Sequence, residues 1–502
     1  MKLNTKYGMV VSGHKAATKA GMKILRKGGN AMDAAIAAAS TLAVVIPNMN
    51  GLGGDSIGLW YDAKKNKVTV INGSGKSPLK ASKKYFKLRG LKKIPQRGPL
   101  SISVPGVIHA WETALKKYGN KKFDEILKDA INFAEKGFII DKYLKDFFEG
   151  KVYRKLIKNN KNLVSIFGDK KKIKIGSKIK QKKLAETLRI LSKYGSKSFY
   201  KGKLSKIIVE DIQKQGSIIT LSDLKNHSTL IQKPISTTYC KKKVYTAPPN
   251  SQGLALLILC NLFKNEKHKS FKINLSDYCK NKKIAFKNRD LYCVDPTISQ
   301  INYETINNIK KNINSKVKNF QQKISGDTST LVVVDKNGNA VSWVQSLFEE
   351  FGSGIVSPRT GIVLHNRLYL EKITGNFNNY LKPNKRPFHT LCPSIVLSEK
   401  ICDLAIATPG DHGQPQTIFQ ILDHIYKNNM QIQKAIDLPR IRHNNGNTIL
   451  VEKNYDKKFC DDKKNILTVF KKQNRIFGGV TAIKINSNKT LSRGADKRRN
   501  CC

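Results

Sequence analysis

The spacing of apolar residues changes character several times along the first hundred positions. GMVVSG from Gly8 reads as a strand. HKAATKAGMKILRKGGN follows it, placing Ala17, Ala20, Ile24 and Leu25 at helical spacing and ending at Gly28-Gly29, a natural C-terminal stop. A second helix begins near Asn30. It is almost entirely Ala, Ile, Leu and Val, which predicts burial between layers, not a one-sided surface position. NMNGLGGD from Asn48 breaks that helix with glycines, and SIGLWYD and KVTVING then read as two strands. A helix pair, a glycine turn and a strand pair open a layered α/β domain.

From Gly106 to about Leu224 the pattern is mainly helical, with Pro105-Gly106 at its start and polar loops around Lys158 and Lys170. VYTAPPNSQGLALLILCNLF, from Val244, runs from a strand through a Pro-rich turn into a buried helix. Between Asn302 and Ser325 the chain is rich in Lys, Asn and Gln and poor in large apolar residues, which predicts an exposed connection. GDTSTLVVVDKNGNAVSWVQSLFEEFGSGIV follows from Gly326. TLVVV is β-branched and apolar, Asn337-Gly338 is a strong hairpin signal and AVSWVQS supplies the returning strand. Thr328 therefore stands at the start of a hairpin strand. Further strand-like runs are GIVLHN, SIVLS, LAIATPG and GGVTAIKIN, with a helix from about Gln416 to Lys427 and no internal repeat.

The chain has 502 residues, 40% hydrophobic and 25% charged, enough for about three domains or one large layered one. That composition excludes bulk disorder and collagen-like repeats. The charge is unusual: 92 Lys+Arg against 36 Asp+Glu give +56. Lysine is spread along the whole chain, and the densest run, GDKKKIKIGSKIKQKK from Gly168, lacks the arginines and aromatics that stack on or read bases. This describes a solvated surface, which argues against sequence-specific nucleic-acid binding while still steering anionic substrates. Nine cysteines cannot all pair, and none shows zinc-type CxxC spacing, so reduced, mostly structural thiols are expected. Cys501 and Cys502 receive no targeting role. The start lacks the apolar core of a signal peptide, and the longest apolar stretch, AAIAAASTLAVVIP, is ~14 residues against the ~20 that a membrane span needs. A cytoplasmic protein with no membrane span is expected.

Several side chains are candidates for chemistry. GLGGD at Gly51 lacks both the GK[ST] ending of a phosphate loop and the GxGxxG register of a dinucleotide site, so close backbone packing is the preferred reading. His389 and Cys392 are three apart with no second ligand pair nearby, which favours a core or pocket lining. His412 follows Asp411 in a loop after a strand and is a candidate general base, although adjacent residues at a strand end point apart. Thr328 fits a more specific mechanism. If the peptide bond before it is cut, its freed α-amine, with an unperturbed pKa of ~7.7–8.0, can take the proton of its own hydroxyl. A structural threonine that merely begins a strand is the alternative.

Taken together, GMVVSGH at Gly8, GGNAMDAAIAAA at Gly28, NGLGGD at Asn50, RGPLSISVPG at Arg97, APPNSQG at Ala247, IAFKNRDLYCVDP at Ile284, GDTSTLVVVDKNGNAVS, FGSGIV, KRPFHTLCP and TPGDHGQPQ resemble the gamma-glutamyltransferase family of N-terminal-nucleophile hydrolases. The likeness spans nearly the whole chain. It implies a four-layer αββα sandwich, an α+β fold, made by one chain that cuts itself between Asp327 and Thr328. Residues 1–327 would form a large subunit and 328–502 a small one, held together as a heterodimer. By the same likeness Thr328 is nucleophile and base, Ser346 places a hydroxyl from the returning strand beside it, and backbone N–H groups at Gly410-Asp411 hold the oxyanion. Asp411 stands where the family has a second glycine. The family's carboxylate-gripping arginine matches Ser74, its acidic partner for the α-amino group matches Leu370, and its serine pair matches His389-Thr390. Arg367, Arg386 and Lys76 are candidate replacements for the carboxylate clamp, and each has an equally good reading as a structural or surface cation.

The sequence therefore points to an autoprocessing zymogen. Its mature form would be a hydrolase or acyltransferase whose leading substrates are γ-glutamyl amides such as glutathione, with no metal or organic cofactor implied. An acylase of the same fold with another acyl group is the alternative enzyme. An uncleaved protein that binds anions through its lysine-rich face is the alternative of another class.

Overall fold

The computed structural model describes residues 4–502 apart from 159, 169–172, 266–273, 298–327, 375–378, 400, 445, 454 and 456–465. The exposed connection expected over 302–325, and Asp327, lie outside the described residues.

The first helix, Lys15–Arg26, starts where His14 Nδ1 accepts from the Ala16 N–H at 3.1 Å, and it buries the predicted stripe of Ala17, Ala20, Ile24 and Leu25. The second, Ala31–Val45, opens with a reciprocal cap: Asn30 accepts from the N–H groups of Met32 and Asp33, and the Asp33 carboxylate accepts from the Asn30 N–H. All of its residues are buried, as its uniform apolar composition requires.

Two six-stranded antiparallel sheets carry the molecule. Across the first, the order is Gly8–Ser12, Ser329–Asp335, Ala340–Ser346, Asp55–Asp62, Lys67–Asn72, Leu230–Gln232. Across the second it is Leu491–Ala495, Thr481–Ile485, Ile401–Ala407, Ser394–Ser398, Lys242–Thr246, Ile235–Tyr239. Alternation along one strand accounts for the layers. Leu331 and Val333 point out of the first sheet onto Ala31–Val45 and its helical neighbours, while Val332 and Val334 point inward against Ile395, Ala405 and Ile483 of the second sheet. The outer face of the second sheet, with Val396, Leu404, Ile406 and Ala482, is covered by helices Gly253–Phe263, Leu275–Tyr292 and Gln414–Tyr426. Four layers result: helices, sheet, sheet, helices. Polar ties cross the inter-sheet core, with Ser342 Oγ donating to Ile406 O at 2.8 Å and Thr481 Oγ1 donating to Thr330 Oγ1 at 3.0 Å.

Between Val107 and Lys225 the chain is mainly helical, as its pattern indicates. GIVLHN yields only the two-residue strand Ile362–Val363, because Leu364 leaves it to bridge Gly53 and the His365 N–H donates to Gly53 O. The terminal cysteines are not frayed: the backbone of Cys502 exchanges two 2.9 Å hydrogen bonds with Ser12, and Thr18 Oγ1 donates to its carbonyl. The described cysteines are all free thiols. Among the described residues, no helix is long and apolar enough to cross a membrane, and no group of three His, Cys, Asp or Glu side chains is placed to hold a metal.

Candidate active site

Thr328 immediately precedes Ser329–Asp335, the second of the six strands of the first sheet, and is only 4% exposed. Its Oγ1 donates to Ser346 Oγ at 3.3 Å across the hairpin, and Ser346 Oγ also accepts from the Phe348 N–H at 2.7 Å. Hairpin register brings these hydroxyls together: Gln345 pairs with Ser329, so the next residue of the returning strand stands beside the residue before it. On its other side Ser346 pairs with Asp55. The glycines before Asp55 allow this approach, since a Cβ on Gly54 would lie 2.6 Å from Ser346 O. Close backbone packing thus accounts for the GLGGD loop.

The turn after Ile401–Ala407 lies over the same end of the sandwich, because Ala407 pairs with Thr481, which bonds Thr330. Gly410 has φ +123° and Asp411 φ +55°. Aspartate is among the few side chains that tolerate this left-handed conformation. Among the described residues no acceptor faces the N–H groups of Gly410 or Asp411. Gln252 fixes the turn, its Nε2 donating to Asp411 O at 2.8 Å and to Thr390 O at 2.6 Å. Arg289, fully buried, donates to Gln252 Oε1 at 3.3 Å and lies 3.0 Å from His412 Nδ1. A guanidinium has only donors, so His412 Nδ1 is an acceptor and its lone pair is occupied. Burial and the neighbouring cations hold this imidazole well below its usual pKa, so His412 is not placed as a general base.

Beneath Ser346 is a buried polar hub. Asp55 Oδ2 lies 3.1 Å from His365 Nδ1, 3.2 Å from His389 Nε2 and 3.7 Å from Arg367 Nε, and Asp55 Oδ1 accepts from the Gly75 N–H. Burial works to raise the Asp55 pKa, but the two imidazoles prevail and keep it well below the carboxylate range. His389 is pushed down to about 4 by burial and by Arg367. Arg367 is itself pulled down to about 10 by burial, against Asp55. It lies 4.3 Å from the centroid of the Phe348 ring and donates to Thr390 Oγ1 at 3.1 Å, while its Nε and Nη2 lack a hydrogen-bond partner. Burial pushes Asp411 up to about 6, although Arg442 and Arg367 oppose this, and its Oδ1 also lacks a hydrogen-bond partner.

Thr328, Ser346, Arg367, His389 and Thr390 are joined by these contacts, and Gln252 ties Gly410 and Asp411 to the same group. Arg386 lies next door, with Nε donating to Ser74 O at 3.1 Å and Nη2 to Ser228 O at 2.8 Å. Lys76 is half-buried nearby. Ser74 is buried, with Oγ donating to Asn72 Oδ1 and accepting from Asn250 Nδ2, and Leu370 sits in an apolar cluster. Asp55, Gln252, Arg289, His365 and Arg442 were not singled out by sequence reasoning. The first three lie in the motifs NGLGGD, APPNSQG and IAFKNRDLY, where their type was visible but their partners, far away in sequence, were not.

Residues 17–501 match the family model described as gamma-glutamyltranspeptidase. The chain belongs to that family. The glutathione hydrolase-like YwrD proenzyme of Bacillus subtilis (strain 168) is 34% identical over 98% of this chain and 97% of its own. The glutathione hydrolase proenzyme of Escherichia coli (strain K12) is 29% identical over 88% of this chain and 82% of its own. Among solved structures, the cephalosporin acylase from Bacillus halodurans superposes with a TM-score of 0.91 at 28% identity, covering 100% of this chain and 96% of that one. The four-layer α+β fold is thus that of the N-terminal-nucleophile gamma-glutamyltranspeptidases and their acylase relatives, and the family is one of hydrolases and transferases.

Proposed function

We propose that the chain cuts itself between Asp327 and Thr328, leaving two fragments as a heterodimer. Thr328 is then the N-terminal nucleophile of an amidohydrolase or acyltransferase that acts on γ-glutamyl amides such as glutathione. The observation that carries this reading is Thr328 itself, buried just before an interior strand with its hydroxyl 3.3 Å from Ser346. The naming of several relatives as proenzymes agrees with a processed chain.

In the reaction, the α-amine of Thr328 takes the hydroxyl proton as Oγ1 attacks the amide carbonyl. The N–H groups of Gly410 and Asp411 stabilise the oxyanion of the tetrahedral intermediate. The intermediate collapses with cleavage of the C–N bond, and the proton passes from the Thr328 ammonium to the leaving amine. Water, or the amine of an acceptor amino acid, then attacks the Thr328 ester, and the acid or a new amide departs as Oγ1 regains its proton. Ser346 orients the attacking hydroxyl.

A second reading, an acylase for a different acyl group, is favoured by the buried, already bonded Ser74 and the apolar setting of Leu370, neither of which can grip an amino acid head. The first test is a denaturing gel with intact masses of the bands. Two fragments summing to the full chain, the smaller beginning at Thr328, are expected. A single band unchanged on prolonged incubation would instead support an uncleaved anion-binding protein.

A further inference from the structure

The hairpin turn at Asn337-Gly338 stands at the opposite end of the first sheet from Thr328. Asp55 pairs with Ser346 and Tyr61 with Ala340, so about 20 Å of strand separates the two ends. Beside the turn lies a cavity of about 640 Å³, within the range of small-molecule sites. Trp60 and Tyr118 line it, their rings stacked with centroids 5.6 Å apart and planes at 25°. Trp60 is only 4% exposed, and its Nε1 has no hydrogen-bond partner. The other two tryptophans, Trp111 and Trp343, are also buried, and both donate to Gln345 Oε1, at 3.0 and 3.1 Å. An indole nitrogen is a donor only, so what Trp60 lacks is an acceptor. Around the aromatic pair stand the exposed Lys64, Lys65 and Lys117, against one carboxylate, that of Asp62, which accepts from the Lys65 N–H at 2.9 Å. Among the described residues none of these three ammonium groups is in an ion pair, whereas the neighbouring Lys116 pairs with Glu112 at 3.3 Å.

We propose that this cavity is a binding site for a nucleoside monophosphate, separate from the reaction at Thr328. Each feature of the cavity calls for a different part of such a ligand. The base brings a flat face to the Tyr118 ring and acceptor atoms along its edge to Trp60 Nε1. The phosphate meets the lysines. Three ammonium groups against one carboxylate leave the lining at +2, and a phosphate monoester near neutral pH carries about −2. An uncharged nucleoside would leave those ammonium groups unmatched, and a sugar phosphate has no flat face for the aromatic pair. Lysine is abundant along the whole chain, but abundance explains neither the cavity nor the indole left without an acceptor.

Calorimetric titration of the purified protein near neutral pH tests this with AMP, with adenosine, which lacks the phosphate, and with ribose 5-phosphate, which lacks the base. AMP should bind about tenfold more tightly than either. The combined variant Lys64→Gln, Lys65→Gln and Lys117→Gln changes only exposed side chains and should weaken AMP by about tenfold or more. Lys87→Gln, Lys92→Gln and Lys93→Gln, three exposed lysines outside the cavity, should leave AMP binding unchanged. Trp60→Phe keeps a ring, removes the N–H and should weaken AMP about fivefold, with ribose 5-phosphate unaffected. Ribose 5-phosphate binding as tightly as AMP would overturn the proposal, since attraction of phosphate to lysine would then account for everything. So would equal losses in the two lysine variants, or no binding of AMP at about millimolar concentration. Cutting at Thr328 and turnover should be the same in the cavity variant as in the wild type, so failure here is distinct from failure of the nucleophile assignment.

Discussion

Two buried aspartates, each under the influence of two arginines, behave in opposite ways. Asp496 is in contact with Arg440 at 2.7 Å and Arg498 at 3.2 Å. Burial works to raise its pKa, but these guanidinium groups prevail and hold it below its usual value. Arg498 is saturated: Nε and Nη2 grip Glu452 at 2.8 and 2.6 Å, and its remaining bonds go to Asp496 and the carbonyls of Ile436 and Leu438. Asp411 has Arg442 and Arg367 as neighbours without a hydrogen bond from either to Oδ1, and burial pushes it up to about 6. The same residue types therefore serve two ends. In the C-terminal cluster both carboxylates are bonded, with Arg440 Nε left without a partner, and helix Ile432–Asp437 is held through Ile436 O, whereas at the other cluster Asp411 Oδ1 and Nε and Nη2 of both Arg367 and Arg442 lack partners. Burial alone does not set the two aspartates apart; the bonds made to the carboxylate do.

Thr328→Ala belongs to the same end as Asp411 and should show the largest effect on activity: turnover falling by at least about a thousandfold in a folded, uncut precursor with a nearly unchanged melting temperature. Variants of the C-terminal cluster should reverse that pattern. Glu452→Gln strips a buried partner from Arg498 and should cost about 3–5 kcal/mol in chemical denaturation, with activity per folded molecule unchanged. Ser346→Ala should slow turnover about tenfold with the fold intact; unchanged kinetics would show that this hydroxyl does not orient the nucleophile. The smallest effect is a pH limb. An acid whose folded pKa lies above its unfolded value favours the protonated fold, so any stability linked to Asp411 is fully present below the unfolded value, ~3.9, and lost as pH rises through about 6. The limb should vanish in Asp411→Asn.

The layered fold was legible because its signals are local and repeated. Ala31–Val45 announces burial by composition, and the hairpin around Asn337-Gly338 fixes the register that sets Thr328 beside Ser346. Helix Leu275–Tyr292 was harder to read: it buries Asn281, Lys282, Asn288 and Arg289, so its apolar periodicity is faint. The hub at Asp55 was invisible for another reason. Its carboxylate lies in a glycine motif that already had a backbone explanation, and its partners His365, Arg367 and His389 come from more than 300 residues away. Arg442 carries no motif at all, and only the missing Cβ of Gly413 shows how closely it meets the turn that begins at Gly410-Asp411.

The most direct test of the central claim is to incubate the mature protein with a γ-glutamyl amide, quench it in acid and map the acyl adduct by peptide mass spectrometry. The account predicts a γ-glutamyl ester on a peptide whose first residue is Thr328. An adduct on another side chain, or a peptide still joining Asp327 to Thr328 in protein that is turning over substrate, would contradict it.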